Sequence, residues 1–302
     1  MSTEQLNQLV NILAPVTLFE MMVAIGMGVT IADVLRVSTD WRLVSRAAVA
    51  SYVCVPAAAF GLLVLFQTDA YVAAGFLIVA VCPGAPYGPP FTGIAKGNVS
   101  VSVGLMIILA GSSALATPLL LAALLPLSTQ FLPPLLDESA SLEIDAIKVV
   151  TTLMLAQFLP LCIGLALRQW QPALADRLKT PANRVSMVLN LLLLTTVVWA
   201  QFDMLMAVPL RGYVGMSLLL LASIGAGWIL GGKSNRQAMV MATSVRNVGV
   251  CLVIVTAAFA GTRAVAAVTA FALFQTIAMA LVAMAWGRLA SASAEAITTT
   301  RE

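Results

Sequence analysis

The chain has 302 residues, 61% of them hydrophobic and 10% charged, with a formal net charge of +3. A soluble domain carries about 25% charged residues, so this chain lacks the polar surface that water requires and its solvent is expected to be lipid. It has no histidine, the commonest metal ligand and general base, and its basic residues form no nucleic-acid patch; metal, His-dependent catalytic and nucleic-acid functions are set aside and no resident cofactor is expected.

The opening ten residues hold Glu4 and no Lys or Arg, so the basic start of a cleavable signal is missing and the first apolar segment is expected to stay as a membrane helix. A helix crossing hydrocarbon needs about 20 apolar residues. Nine segments qualify: 10–33, 45–66, 70–88, 98–125, 146–168, 182–205, 211–231, 235–260 and 263–287. Short connections make the second and third, and the eighth and ninth, antiparallel hairpins. Cys54, Cys82, Cys162 and Cys251 fall inside apolar segments with no CxxC spacing and read as small buried hydrophobes.

Glu20 sits in the middle of the first segment. A carboxylate there needs a partner or a proton, so Glu20 is a proton-coupling group, a counter-ion for Arg246, or a protonated or water-exposed residue near a crevice. The third segment runs into Cys82-Pro83-Gly84-Ala85-Pro86-Tyr87-Gly88-Pro89-Pro90. Proline lacks a donor and clashes with the preceding turn, so regular helix stops here. Broken backbone at membrane depth is tolerated only against protein or a water-filled cavity, and in transporters it marks the substrate site. Serines of the fourth segment, Ser102 among them, read first as packing or back-bonding residues; Ser102 is the one placed to face the break. The loop 126–145 is acidic, with Asp137, Glu138, Glu143 and Asp145. The eighth segment carries Ala242-Thr243-Ser244-Val245-Arg246-Asn247-Val248-Gly249, polar at its centre and without proline. An intramembrane Arg costs several kcal/mol unless it faces a cavity or a partner, which makes Arg246 a ligand contact or a structural residue paired with Glu20 or with the acceptor groups of the broken helix.

Alternate loops hold 12 of the 16 basic residues, and the opposite side has only Lys148, Arg211 and Arg263. By the positive-inside rule the N-terminus is outside and the C-terminus cytoplasmic, in a cell (inner or plasma) membrane. The third segment then runs inward and the eighth outward, each second-last in its half. The fold class expected is an all-α integral membrane protein of nine helices, one domain over 1–302, with inverted half-repeats at about 10–125 and 146–288 and two crossing broken helices.

Three stretches resemble the bile acid:sodium symporter family. Met22 to Thr30 is similar to its early FGMGLTL-like segment. Cys82-Pro83-Gly84, with Ala95-Lys96-Gly97-Asn98 and Ser102, resembles its CPGG…ARGN-x3-S block. Ala242 to Gly249 resembles its E-x-G-x-Q-N-S-G block. The resemblance implies a core domain and a panel domain, a crossing in the core, and small organic anions as substrates. In the family, oxygen ligands around the crossing hold two sodium ions. Here the Ser-Asn pair falls on Gly88 and Pro89, a later Thr on Met106, the Glu on Ala242 and the Gln on Arg246, and only Ser102 survives.

The reading is a secondary transporter of a small anionic organic substrate by alternating access. The substrate contacts expected are Arg246, Asn247, Thr243, Ser244, Pro86, Tyr87, Gly88 and Ser102, with Glu20 as the coupling residue. Arg cannot lose its proton in a protein, so Arg246 is expected to replace bound sodium. Na+ or H+ is the coupling ion to be distinguished. The alternatives are a sodium-coupled symporter and a membrane sensor or binding protein that does not transport. No enzyme motif is present, and the partners expected are the anionic substrate and the lipid bilayer.

Overall fold

A computed structural model of the chain describes residues 3–131 and 146–299, and among these it contains helices and no strand. The helices are α1 (Thr3–Met27), α2 (Ile31–Ser38), α3 (Trp41–Val49), α4 (Val55–Phe66), α5 (Ala70–Val81), α6 (Gly88–Ile94), α7 (Val99–Phe131), α8 (Ala146–Leu153), α9 (Leu159–Trp170), α10 (Pro172–Ala200), α11 (Phe202–Met206), α12 (Leu210–Leu230), α13 (Arg236–Ser244), α14 (Val248–Ala258) and α15 (Arg263–Thr299). Among the described residues eight stretches are long and apolar enough to cross a membrane, and the shorter apolar α5 continues through a break into α6. The ends fix that ninth crossing. Lys96, just past α6, donates to Ser291 of α15 at 2.5 Å. Asp69, which caps α5, pairs with Arg263 at the other end of α15 at 3.7 Å.

Three expected boundaries shift, each for a local reason. The first segment, expected over 10–33, stops at Met27. Thr30 then starts α2 with a capping box: its hydroxyl accepts from Asp33 N and its own N–H donates to the Asp33 carboxylate, both at 3.1 Å. The Thr30 hydroxyl also donates to that carboxylate at 2.6 Å, and together with the N–H bond it holds the Asp33 carboxyl below its ordinary value. The sixth segment begins at Pro172 rather than 182, because proline at the first helical position lacks only a donor that has no intrahelical partner anyway. The fourth runs to Phe131, so 126–131 of the expected acidic loop are helical. Its four acidic residues lie outside the described residues.

Two crossings contain a π-helical turn, Ala50–Cys54 between α3 and α4 and Met154–Phe158 between α8 and α9. Each leads into a proline two residues into the next helix, Pro56 and Pro160. Proline removes a rung of the helical ladder, and a wider turn absorbs the mismatch.

The helices pack as two groups. In one, α1 lies against α9 and α10. Gly26 and Gly164 permit this approach: a Cβ at Gly26 would stand 2.5 Å from Leu161 O and 2.8 Å from Gly164 Cα. In the other, α5 packs on α15, α12 on α4 and α13, and α7 on α5, α6 and α13. Packing of α1 on α14 joins the two groups, which correspond to the panel and core that the family resemblance implies.

Candidate functional site

The two breaks meet. The first, Cys82 to Tyr87, lies between α5 and α6, and the second, Val245 to Asn247, between α13 and α14. The second forms without proline because its freed groups find partners. Asn247 N donates to Cys82 O at 2.9 Å. Gln275 of α15 serves the backbone of Arg246 twice: its Oε1 accepts from Arg246 N at 3.0 Å and its Nε2 donates to Arg246 O at 3.1 Å. Asn247 also caps α14, accepting from Val250 N at 3.3 Å, and its Nδ2 donates to Gly84 O at 3.3 Å. Thr117 of α7 donates to Val81 O at 2.7 Å. The carbonyls of Val81, Cys82, Gly84 and Arg246 at the crossing thus each receive a protein donor.

Gly84 is required by conformation and by space. Its φ is +83°, a region L side chains rarely adopt, and a Cβ would stand 2.6 Å from Ala110 Cα. The crossing is therefore pressed onto α7 at Ala110. The two π-helical turns aim polar side chains at the same stretch of α7. Tyr52 donates to Leu109 O at 3.0 Å and bonds Ser112 Oγ at 2.8 Å. Gln157 donates to Ala110 O and, at 3.0 Å, to Ser113 Oγ.

Arg246 is 1% exposed, the largest fully buried side chain among the described residues. Among the described residues, its terminal nitrogens Nη1 and Nη2 have no hydrogen-bond partner. Its electrostatic neighbours are Cys82, Cys251 and Tyr52, and it forms no ion pair among the described residues. Glu20 is half-buried on α1 and instead accepts from Ser186 of α10 at 2.5 Å. The structure therefore does not form the Glu20–Arg246 pair.

The remaining expected contacts divide. Thr243 is buried and donates back to Met239 O at 2.6 Å, while Ser244 is buried with an unpartnered hydroxyl. Ser102 is buried with Thr92 Oγ1 at 2.9 Å. Gly88 is buried, Pro86 is half-buried and Tyr87 is exposed. Sequence reasoning missed Gln275, Gln157 and Tyr52. The signal was present for the two glutamines, since each is an amide near the middle of an apolar segment and needs a partner there. Tyr52 carried none.

A sequence model described as the sodium bile acid symporter family matches residues 15–208 of the 302. It includes the first break and stops short of the second. Among curated proteins, the chain is similar to a probable sodium/metabolite cotransporter BASS2, chloroplastic, of Oryza sativa subsp. japonica, 25% identical over 210 residues, which are 70% of this chain and 47% of the rice protein. It is also similar to an uncharacterized sodium-dependent transporter YocS of Bacillus subtilis (strain 168), 33% identical over 109 residues, 35% of this chain and 34% of that protein. The chain thus covers about half of the first relative's length and a third of the second's. The chain belongs to the sodium bile acid symporter family.

Proposed function

We propose that this protein is a secondary transporter of a small organic anion, with Arg246 supplying the positive charge that bound sodium supplies elsewhere in the family. The observation that carries this reading is the pair of unpartnered guanidinium nitrogens at the crossing of the two breaks. A buried charge left without compensation costs roughly 3–5 kcal/mol, and a carboxylate or other oxyanion relieves it with two parallel charge-assisted bonds. The N-terminus of α14, capped by Asn247, adds a favourable dipole at the same place. Ser244, Thr243, Asn247, Pro86, Tyr87, Gly88 and Ser102 form the surroundings of that ligand in this reading.

Sodium fits poorly beside Arg246. Two unit charges about 4 Å apart at an effective dielectric near 20 repel by about 4 kcal/mol, roughly a thousandfold in affinity. The carbonyls of Val81, Cys82, Gly84 and Arg246 already hold protein donors. Coupling then falls to protons, for which Glu20 is the group we assign, held among the described residues by Ser186. The chain works as one domain, with half-repeats over about 10–125 and 146–288, in a cell membrane with its N-terminus outside.

A second reading, a sodium-coupled symporter, is favoured by the printed names of both relatives. Uptake into proteoliposomes with sodium replaced by choline separates the two. Uptake of the anion is expected to persist, and strict sodium dependence would overturn the reading. Arg246→Gln is expected to weaken anion binding at least tenfold, whereas unchanged affinity would leave Arg246 a structural residue.

A further inference from the structure

A cavity of about 610 Å³ lies away from the crossing, between the end of α4, the start of α5, the α11–α12 connection and the start of α15. Small-molecule sites span about 300–1,000 Å³. Its floor is apolar, with Leu63, Phe76, Met216 and Ala267 buried in it. Gly215 keeps the floor open: the residue is buried, yet a Cβ built on it meets nothing within 4 Å. The rim is exposed and charged, formed by Asp69, Asp203, Arg211 and Arg263.

The rim charges are not all spent on each other. Asp69 and Arg263 form an ion pair at 3.7 Å. Among the described residues, the side chains of Asp203 and Arg211 have no ion pair or hydrogen bond. In the wall, Thr68 has a hydroxyl shielded from solvent and without a partner among the described residues. Basic residues are scarce at this end. The loop assignment puts only Lys148, Arg211 and Arg263 on this side, and two of the three stand on this one rim.

We infer that this cavity binds a zwitterionic amphiphile, its hydrocarbon on the apolar floor, its anionic group on Arg211 and its ammonium on Asp203. A purely anionic head would also meet two carboxylates, and a purely cationic head two guanidiniums. A head carrying both signs meets a partner for each. The cavity opens at the helix ends, where lipid head groups lie, which favours a membrane phospholipid over a soluble zwitterion as the source. The inference is independent of the transport reading.

Native mass spectrometry of the full-length, delipidated protein tests it. The probes are phosphatidylethanolamine, phosphatidylglycerol and chain-free phosphoethanolamine. The ethanolamine lipid should be retained over the glycerol lipid by about tenfold, the weight of one charge-assisted contact. Asp203→Asn should abolish that preference. Arg211→Gln, on the exposed rim, and Gly215→Leu, which fills the floor, should each reduce retention of both lipids about tenfold. Equal retention of the two lipids by the native chain overturns the inference, as does retention unchanged in Arg211→Gln and Gly215→Leu. Phosphoethanolamine binding as tightly as the lipid overturns the amphiphile and leaves a soluble zwitterion as the ligand.

Discussion

Asn247 shows how much of the crossing one side chain can secure. It caps α14, holds Gly84 O, and its backbone N–H closes on Cys82 O. Gly84 answers with a conformation and a closeness that no other residue type supplies. Gly84→Ala is expected to destabilise the protein by about 2–3 kcal/mol or more, from left-handed backbone strain and overlap with Ala110. Gly111 is the control. It lies in the middle of α7 with nothing within 4 Å of its Cβ position. Replacing it with alanine removes only glycine's entropic penalty, so Gly111→Ala should shift stability the other way, by about 0.5–1 kcal/mol. Unfolding by a detergent titration reads both, and equal effects would refute the packing argument for Gly84.

Among the elements, α7 is the platform. It receives the first break at Ala110, Tyr52 from one π-helical turn and Gln157 from the other. The two turns share a cause in Pro56 and Pro160, and a result in long polar side chains aimed at α7. Gln157 comes from the stretch between α8 and α9, and so ties the panel to the core. Gln157→Leu removes the donor to Ala110 O and Ser113 Oγ, at an expected cost of about 1–2 kcal/mol. Amide exchange along 110–117 should then speed up while α12 keeps its protection. An unchanged exchange pattern would show that the contact carries no coupling between the groups.

For the molecule as a whole, charge asymmetry and threading agree. Lys96 and Ser291 share one end, and Asp69, Arg263 and Phe131 share the other, with Gln67 Nε2 on Phe131 O at 3.3 Å. In the orientation proposed above, the end that carries Lys96 is the cytoplasmic one. In intact cells a membrane-impermeant maleimide should label Thr262→Cys and Ala207→Cys, and leave Thr39→Cys and Gln171→Cys until the membrane is opened. The native Cys82 and Cys251 are buried, whereas Cys54 and Cys162 are half-buried, so the labelling is read in a Cys54→Ala, Cys162→Ala background. The reverse labelling pattern would invert the topology.

Much of this architecture was legible in residues taken one at a time. Composition determined the solvent, apolar run length determined nine crossings, and the prolines from Pro83 to Pro90 determined a break, because proline lacks its donor in any surroundings. Boundaries strayed where a cap or a proline at a helix start overrode the hydropathy, as at Thr30 and Pro172. What the sequence could not decide was where the freed groups go. Asn247 reaches Gly84 across 163 residues, Gln275 reaches Arg246 across 29, and Glu20 turns to Ser186 rather than to Arg246. Helix and break are written in local chemistry, while the partner of a buried polar group is whatever packing brings within about 3 Å of it. Only the tertiary structure could leave a lone guanidinium at the crossing with both its terminal nitrogens unspent.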